Sequence, residues 1–174
     1  IPDRQDEGYG INMAAVKKIK DGGATLMISV DTGITAVAET EYAKSLGLDV
    51  IITDHHECKD KLPEAAAVIN PKRPDCEYPF KDLAGVGVAF KLVCAVSGKP
   101  ECEILERYSD LVALGTIADV VPLRDENRII TAAGIDKLAK NPNVGLAAVI
   151  SSLGIKPKWN NCAVVSYSIA PRLN

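Results

Sequence analysis

The two histidines of the chain are adjacent, at His55 and His56, and they directly follow Asp54. Imidazole beside carboxylate is a ligand set that suits Mn²⁺, Fe²⁺ or Zn²⁺. Adjacent side chains within a strand point to opposite faces, so two such rings could not share an ion there. The pair instead lies past an apolar run, residues 48–53 (LDVIIT), where a strand gives way to a loop and both rings can turn toward one cleft. The pattern predicts metal-dependent chemistry.

The segments around this tripeptide form a predicted β–α–β unit. In order they are a buried strand at residues 25–30, a helix at residues 36–46 capped by Thr35, and a second strand at residues 50–53. A helical crossover makes the two strands parallel, with a right-handed connection. Asp31 and Asp54 then emerge at the same edge of the sheet. Open α/β sheets bind their ligands at this edge, so it is the expected place of the site.

A third aspartate, Asp119, lies in the apolar run 114–123 (LGTIADVVPL). Desolvating a carboxylate in such a run is costly unless a cation or a hydrogen-bond donor meets it. Asp119 is therefore either a metal ligand or a helix-capping residue that accepts backbone N–H bonds. Cys58, close to the histidines, is either a further ligand or an ordinary loop thiol.

The other predicted elements complete an α/β fold, a mostly parallel sheet with flanking helices and a helix-rich C-terminal half. Asn12 can cap a helix that ends at Lys20, and a third strand at residues 66–69 ends at Asn70. The later helices are predicted at residues 86–96, 102–114, 128–140 and 144–153, with a connector at 157–161. Core positions are expected at Cys94 and Cys102 and along one apolar stripe formed by Ile104, Leu105, Tyr108, Leu111 and Val112.

Composition narrows the class of protein. With 174 residues, 47% of them hydrophobic, the chain fits one folded domain. Its apolar stretches are shorter than a membrane span and its first residues lack the layout of a signal peptide, so we expect a cytoplasmic protein. The five cysteines include no Cys-x-x-Cys pair, which argues against a disulfide framework or a zinc knuckle. The net charge of −3 argues against a surface that is basic enough to bind nucleic acid by itself. Lys72, Arg73 and Arg124 are the local candidates to bind a phosphate.

Five motifs in order carry a specific resemblance. They are residues 31–34 (DTGI), 54–56 (DHH), 83–92 (LAGVGVAFKL), 115–123 (GTIADVVPL) and 170–174 (APRLN). Together they resemble the DHH phosphoesterase superfamily, and within it the RecJ family of single-strand-specific 5′ to 3′ exonucleases. The opening residues 1–10 are similar to that family as well, so the resemblance spans essentially the whole chain. A lone Asp-His-His would be a weak signal, whereas five ordered motifs are a strong one.

The resemblance implies a role for each matching residue. Asp31 matches the aspartate that bridges two divalent metals, and His55 and Asp119 match two ligands of one of these metals. His56 matches the histidine that faces the scissile phosphate, and Asp54 matches the residue that orients the histidine pair. Mn²⁺ is the expected ion, with Mg²⁺ next, because the site is rich in oxygen and has only one or two imidazoles. Two ions bridged by a carboxylate can clamp a phosphoryl oxygen and activate water.

One family motif has no counterpart in the chain. The first motif, an Asp-x-Asp cluster on the first strand, would lie before Ile1, and the second domain of the superfamily would follow Asn174. We therefore expect residues 1–174 to be part of a DHH domain that by itself binds metal weakly and hydrolyses poorly or not at all. The complete enzyme is expected to act on single-stranded DNA in repair and recombination.

Three possible phosphate-binding residues and two alternative functions remain to be considered. Gly85 and Gly87 begin a predicted helix, where backbone amides can approach a phosphate, although paired glycines also serve packing or turns. Arg172 either meets a nucleic-acid phosphate or is an ordinary surface arginine. The alternative enzyme is a phosphodiesterase of short oligonucleotides or cyclic dinucleotides. The alternative without catalysis is a DHH-fold scaffold that lost its metals.

Overall fold

The computed structural model describes residues 10–155, 159 and 161–173. The opening residues 1–9, most of the connector at 157–161, and Asn174 lie outside the described residues, so the predictions made for them have no structural counterpart here. The chain divides into two compact units, residues 1–81 and 82–174, which are described separately.

The first unit carries a parallel sheet with two helices. In chain order, its described elements are α1 (Met13–Asp21), β1 (Leu26–Val30), α2 (Val37–Ser45), β2 (Asp49–Thr53) and β3 (Ala67–Ile69). The strand order is β1-β2-β3, and both pairs are parallel. Val30 lies opposite Thr53, which lies opposite Ile69, so the three strands end level with one another. The predicted β–α–β unit and its carboxyl edge are confirmed.

The two helices of this unit begin in different ways. Asn12 caps α1 as predicted, because its side-chain oxygen accepts a hydrogen bond from the Ala15 N–H at 2.7 Å. The prediction that Thr35 caps α2 is wrong, since the cap position is Ala36 and no side chain bonds there. A backbone turn replaces the cap, and its first helical N–H, that of Val37, donates to the Thr35 carbonyl at 3.0 Å. The first helical N–H therefore has a backbone acceptor in place of a side-chain cap.

The core of the first unit lies on one face of the sheet. It is formed by Val16, Ala43, Leu48, Val50 and Ile52. Successive side chains of a strand point to opposite faces, so Met27 of β1 packs on this core while Leu26, Ile28 and Val30 point away from it. These three side chains are 46%, 48% and 51% exposed, so the expectation of a buried strand is wrong for one of its faces.

The second unit is helical throughout its described elements. They are α3 (Gly85–Ser97), α4 (Glu101–Ala118), α5 (Asp125–Lys140), α6 (Val144–Ser152), α7 (Cys162–Val164), a π-helical turn (Val165–Ile169) and a 3₁₀ turn (Ala170–Arg172). Helices α3 to α6 confirm the four helices that the sequence predicted for this part of the chain. Helix α4 continues four residues beyond its predicted end, so the start of the 115–123 motif is helical. The helical segment after residue 161 was not predicted, although Val165 and Ile169 are fully buried in one of the cores.

Helices α4 and α5 pack closely because Gly134 has no side chain. A Cβ atom at Gly134 would lie 2.1 Å from the Ser109 carbonyl oxygen and 2.2 Å from the Ala113 Cβ. Two expected core positions are wrong: Cys102 is exposed and Leu111 is 38% exposed. Cys102 lies in the exposed first turn of α4. Leu111 lies at the margin of a buried face whose members include the small and polar residues Ser109, Ala113 and Thr116, which an apolar pattern does not mark.

Trp159 packs on the core that includes Val165. Among the residues described, we find no helix with both the length and the apolar character that crossing a membrane requires.

Candidate metal centre

Asp31 stands immediately after β1 in a backbone conformation that few residues adopt. Its φ is +63°, in the left-handed region that aspartate tolerates better than most side chains. Its N–H donates to the Thr53 carbonyl at 2.9 Å, which fixes it beside the end of β2. Two residues later, Gly33 has φ +116°, and a Cβ there would lie 2.9 Å from the Ser29 Oγ. The turn thus needs glycine, and it leaves the Asp31 side chain 53% exposed and accessible to a ligand.

Asp54 is buried under the site and accepts four hydrogen bonds. Its Oδ2 accepts from the Ile34 N–H at 2.9 Å. Its Oδ1 accepts from the N–H of His55 at 2.8 Å and from the N–H of His56 at 3.2 Å. The same Oδ1 lies 2.6 Å from the Nδ1 of His56. One carboxylate therefore ties the turn after β1 to both histidines after β2.

These bonds determine the charge of Asp54. Burial is the largest single influence and raises the pKa of this carboxyl, but it is outweighed. The hydrogen bonds from the Ile34 N–H, the His56 ring, and the N–H groups of His56 and His55 together bring the pKa below its ordinary value. Asp54 is therefore an ionised acceptor at neutral pH. Since a carboxylate can only accept, the Nδ1 of His56 must carry the proton of their shared bond.

The ligand atoms of Asp31, His55 and His56 converge on one place. One atom from each residue lies within 4.8 Å of the other two. The Nε2 of His55 lies 3.1 Å from the Oδ1 of Asp31, and the two imidazole centroids are 4.6 Å apart with a 58° tilt. The His55 side chain is 11% exposed and that of His56 is 60% exposed. One carboxylate and two imidazoles in this arrangement form a donor set for a divalent transition metal.

Sequence reasoning missed one residue that touches this group. Asn70, directly after β3, is buried, and its Nδ2 donates to the His56 carbonyl at 2.9 Å. The available signal was its position, because an Asn-Pro pair ends the third strand at the same edge as the other two. From the sequence alone, this pair predicted only the end of that strand.

Two of the candidate ligands lie outside the described group of three. Asp119 is the C-cap residue of α4 in the second unit and its side chain is exposed, so desolvation does not by itself require a cation there. Cys58 is half-buried in the first unit. Burial first, and Glu57 next, raise the pKa of its thiol, which disfavours the thiolate that binds metals.

The candidate phosphate-binding residues fall on two elements of the second unit. Gly85 and Gly87 are both buried in the first turn of α3. A Cβ at Gly87 would lie 3.2 Å from the Leu83 Cδ2, so close packing is one reason for this glycine. Arg172 lies in the 3₁₀ turn near the end of the described chain and is exposed.

Lys72, Arg73 and Arg124 already face carboxylates. Each of the three predicted candidates forms an ion pair, Lys72 with Glu57 at 2.9 Å, Arg73 with Asp75 at 2.5 Å, and Arg124 with Asp82 at 2.5 Å. Phosphate binding by any of them would have to compete with its acidic neighbour.

Comparison with known proteins places this arrangement in a family. Residues 1–116 match the DHH family, N-terminal domain. The chain therefore belongs to the DHH family. Over 174 residues it is 52% identical to the single-stranded-DNA-specific exonuclease RecJ of Bacillus subtilis, covering 100% of this chain and 22% of that protein. It is 40% identical to RecJ of Escherichia coli over 186 residues, covering 100% of this chain and 32% of that one.

Solved structures give the same relationship. A crystal structure of exonuclease RecJ bound to manganese matches with a TM-score of 0.85 and 36% identity, over 100% of this chain and 43% of that one. RecJ of Thermus thermophilus in complex with Mn²⁺ matches with a TM-score of 0.77 and 35% identity, over 92% of this chain and 24% of that one. The predicted fold class and family are confirmed, and the chain spans 22% and 32% of the length of the two curated relatives named above.

Proposed function

We propose that this chain contributes the metal-binding edge of a 5′ to 3′ exonuclease that hydrolyses phosphodiester bonds of single-stranded DNA. The observation that carries the proposal is the convergence of Asp31, His55 and His56 at the carboxyl edge of the sheet. Relatives at 52% and 40% identity are named single-stranded-DNA-specific exonucleases, which supports the proposal. We further propose a role in DNA repair and recombination, in the cytoplasm.

The donor set fits a divalent ion. Mn²⁺ suits the Asp31 carboxylate and the His55 imidazole completed by oxygen ligands, and Mg²⁺ is the next candidate. When bound, such ions supply positive charge to a phosphoryl oxygen and lower the pKa of water. We assign Asp31 and His55 to holding the metal. We assign His56 to facing the scissile phosphate, with Asp54 holding its ring through the bond to Nδ1.

The other assignments from the family resemblance remain part of the proposal. They concern a second ion bridged by Asp31, Asp119 as a further ligand, and Gly85, Gly87 and Arg172 as substrate contacts. Substitution tests each of them: Asp119→Asn is expected to weaken Mn²⁺ binding, and Arg172→Ala is expected to raise KM for DNA more than it lowers kcat.

The decisive experiment measures nuclease activity of the full-length protein that contains this chain. With Mn²⁺ and 5′-phosphorylated single-stranded DNA, we expect degradation from the 5′ end that Asp31→Ala and His56→Ala each reduce at least about 100-fold, since Asp31 holds the metal and His56 faces the reacting phosphate. Asp60→Ala is a matched control, because Asp60 is an exposed aspartate of the same unit outside the ligand group.

The outcomes separate the alternatives. Cleavage restricted to dinucleotides would favour a phosphodiesterase of short substrates. Absence of cleavage on long strands and dinucleotides alike would favour a scaffold. Equal loss in the Asp60→Ala control would show that the effect of Asp31→Ala is not specific to the site.

A further inference from the structure

The side chain of Asn70 joins the loop after β3 to the loop after β2. Asn70 is 3% exposed, and one of its two side-chain polar atoms donates a hydrogen bond while the other accepts one. Its Nδ2 donates to the carbonyl of His56 at 2.9 Å, while its Oδ1 accepts from the N–H of Lys72 at 2.8 Å. Both bonds require a side chain that carries a donor and an acceptor a fixed distance apart. Aspartate and leucine have a similar shape, but ionised aspartate lacks the donor and leucine lacks both groups.

His56 depends on such bonds because packing does not hold it. Its side chain is 60% exposed, so few neighbours restrict the ring. Asp54 binds its N–H and its Nδ1, which fixes the residue from one side. Asn70 binds its carbonyl, which fixes the peptide that follows. With both sides held, the Nε2 of His56 keeps a defined position.

The loop that carries Asn70 is itself fixed. The N–H of Arg73 donates to the Asn70 carbonyl at 3.3 Å, and the Arg73 guanidinium donates to the Val68 carbonyl at 2.5 Å. A second link runs in parallel, because the Lys72 ammonium lies 2.9 Å from the Glu57 carboxylate, next to His56 in the chain. Residues 70–73 thus contact residues 56 and 57 through one buried hydrogen bond and one ion pair.

We propose that Asn70 is a positioning residue that aims His56 at the scissile phosphate. This inference rests on the proposed function of His56. Asn70 does not reach the reacting atoms through its described contacts and acts through the backbone of His56. Its substitution should therefore lower kcat through His56 and leave the metal held by Asp31 and His55 little changed.

The test uses Asn70→Asp in the full-length protein. This change keeps the shape and the acceptor but removes the donor that binds the His56 carbonyl. We expect kcat to fall by about 10- to 100-fold, the range seen when residues that orient active-site ligands are changed, with KM for DNA altered less than about threefold. Asn161→Asp is the matched control, because within the described part of the chain the Asn161 side chain bonds through its oxygen, which accepts from the Val164 N–H.

A double-mutant cycle separates positioning from a general loss of stability. If Asn70 acts through His56, Asn70→Asp should cost little further activity in a His56→Ala background. An equal cost in both backgrounds would overturn the inference. Asn70→Ala serves as the second variant if the aspartate does not give a native circular dichroism spectrum.

A measurement without catalysis keeps the inference apart from the proposed function. In ¹³C-histidine spectra assigned with His55→Gln and His56→Gln, Asn70→Asp should broaden or split the His56 ring signal and leave that of His55 in place. An unchanged His56 signal would overturn the inference even if the enzyme is active. A shifted His56 signal in a protein without nuclease activity would instead refute the proposed function and uphold the structural role of Asn70.

Discussion

Replacing Asp54 with asparagine should destabilise the protein even without metal, whereas the same change at Asp31 should not. Asp54 is 1% exposed and accepts from three N–H groups and one imidazole. Asparagine offers one oxygen in place of two. If that oxygen keeps the bonds to His55 and His56, the new NH₂ group faces the Ile34 N–H and leaves this buried donor without an acceptor.

The magnitude follows from these contacts. An orphaned buried N–H costs about 1–3 kcal/mol, and the retained bonds change from charged to neutral, each losing up to about 1 kcal/mol. Removing the buried charge offsets part of this loss, because burial opposes ionisation of Asp54. We expect a net loss of about 2–4 kcal/mol, which for a chain of this size lowers the melting midpoint by about 5–15 °C.

Asp31→Asn is the matched comparison. The Asp31 side chain is 53% exposed, and asparagine tolerates the left-handed backbone at this position as well as aspartate does. A surface change of this kind alters the free energy of unfolding by about 0.5 kcal/mol or less. It nevertheless removes the charged ligand, so it should abolish the rise in melting midpoint that Mn²⁺ produces in the wild type.

Circular dichroism melts in metal-free buffer and then with Mn²⁺ measure both effects. Asp54→Asn should melt lower in both buffers, and Asp31→Asn should differ from the wild type only when Mn²⁺ is present. A metal-free melting midpoint for Asp54→Asn within about 1 °C of the wild type would refute the reasoning, since this shift is smaller than the one expected from a buried N–H without an acceptor.

Three further predictions concern the metal, the catalytic competence of the chain and the packing of the second unit. Calorimetric titration of the 174-residue chain should show one weak Mn²⁺ site that His55→Ala removes; binding of equal strength after that change would show that the ligands are wrongly assigned. The same chain alone should be nearly inactive on 5′-phosphorylated single-stranded DNA, because its described group supplies a single carboxylate and hydrolysis by two metals needs both ions placed; robust cleavage abolished by Asp31→Ala would contradict this. Gly134→Ala should destabilise the chain by about 1–3 kcal/mol or more, measured by urea unfolding, because its Cβ would meet the Ser109 carbonyl oxygen at 2.1 Å. Gly145→Ala, where the nearest atom is 3.6 Å away, should be neutral or mildly stabilising.

Local patterns in the sequence were sufficient to predict the order and direction of the main strands of the first unit. The spacing of apolar residues predicted β1, α2 and β2 in order, and the crossover rule then required parallel strands that end at one edge. Because that edge follows from topology, the convergence of Asp31 with the histidine pair could be expected before any coordinate was known. The helix ends were predictable where a side chain next to the helix supplies the cap, as Asn12 does for α1.

Contacts between residues far apart in the chain were decided only by the tertiary structure. Asn70 holds the carbonyl of His56 from 14 residues away, and Gly134 brings α5 against Ser109. The position of Asn70 after β3 indicated the edge of the sheet but not its hydrogen-bond partner, and Gly134 has no local signature, because a buried amide contact or a close helix crossing depends on which surfaces meet. The exposed face of β1 and the exposed Cys102 were mispredicted for the same reason. Composition and periodicity report what a segment can bury, whereas the packing of whole elements determines what it does bury.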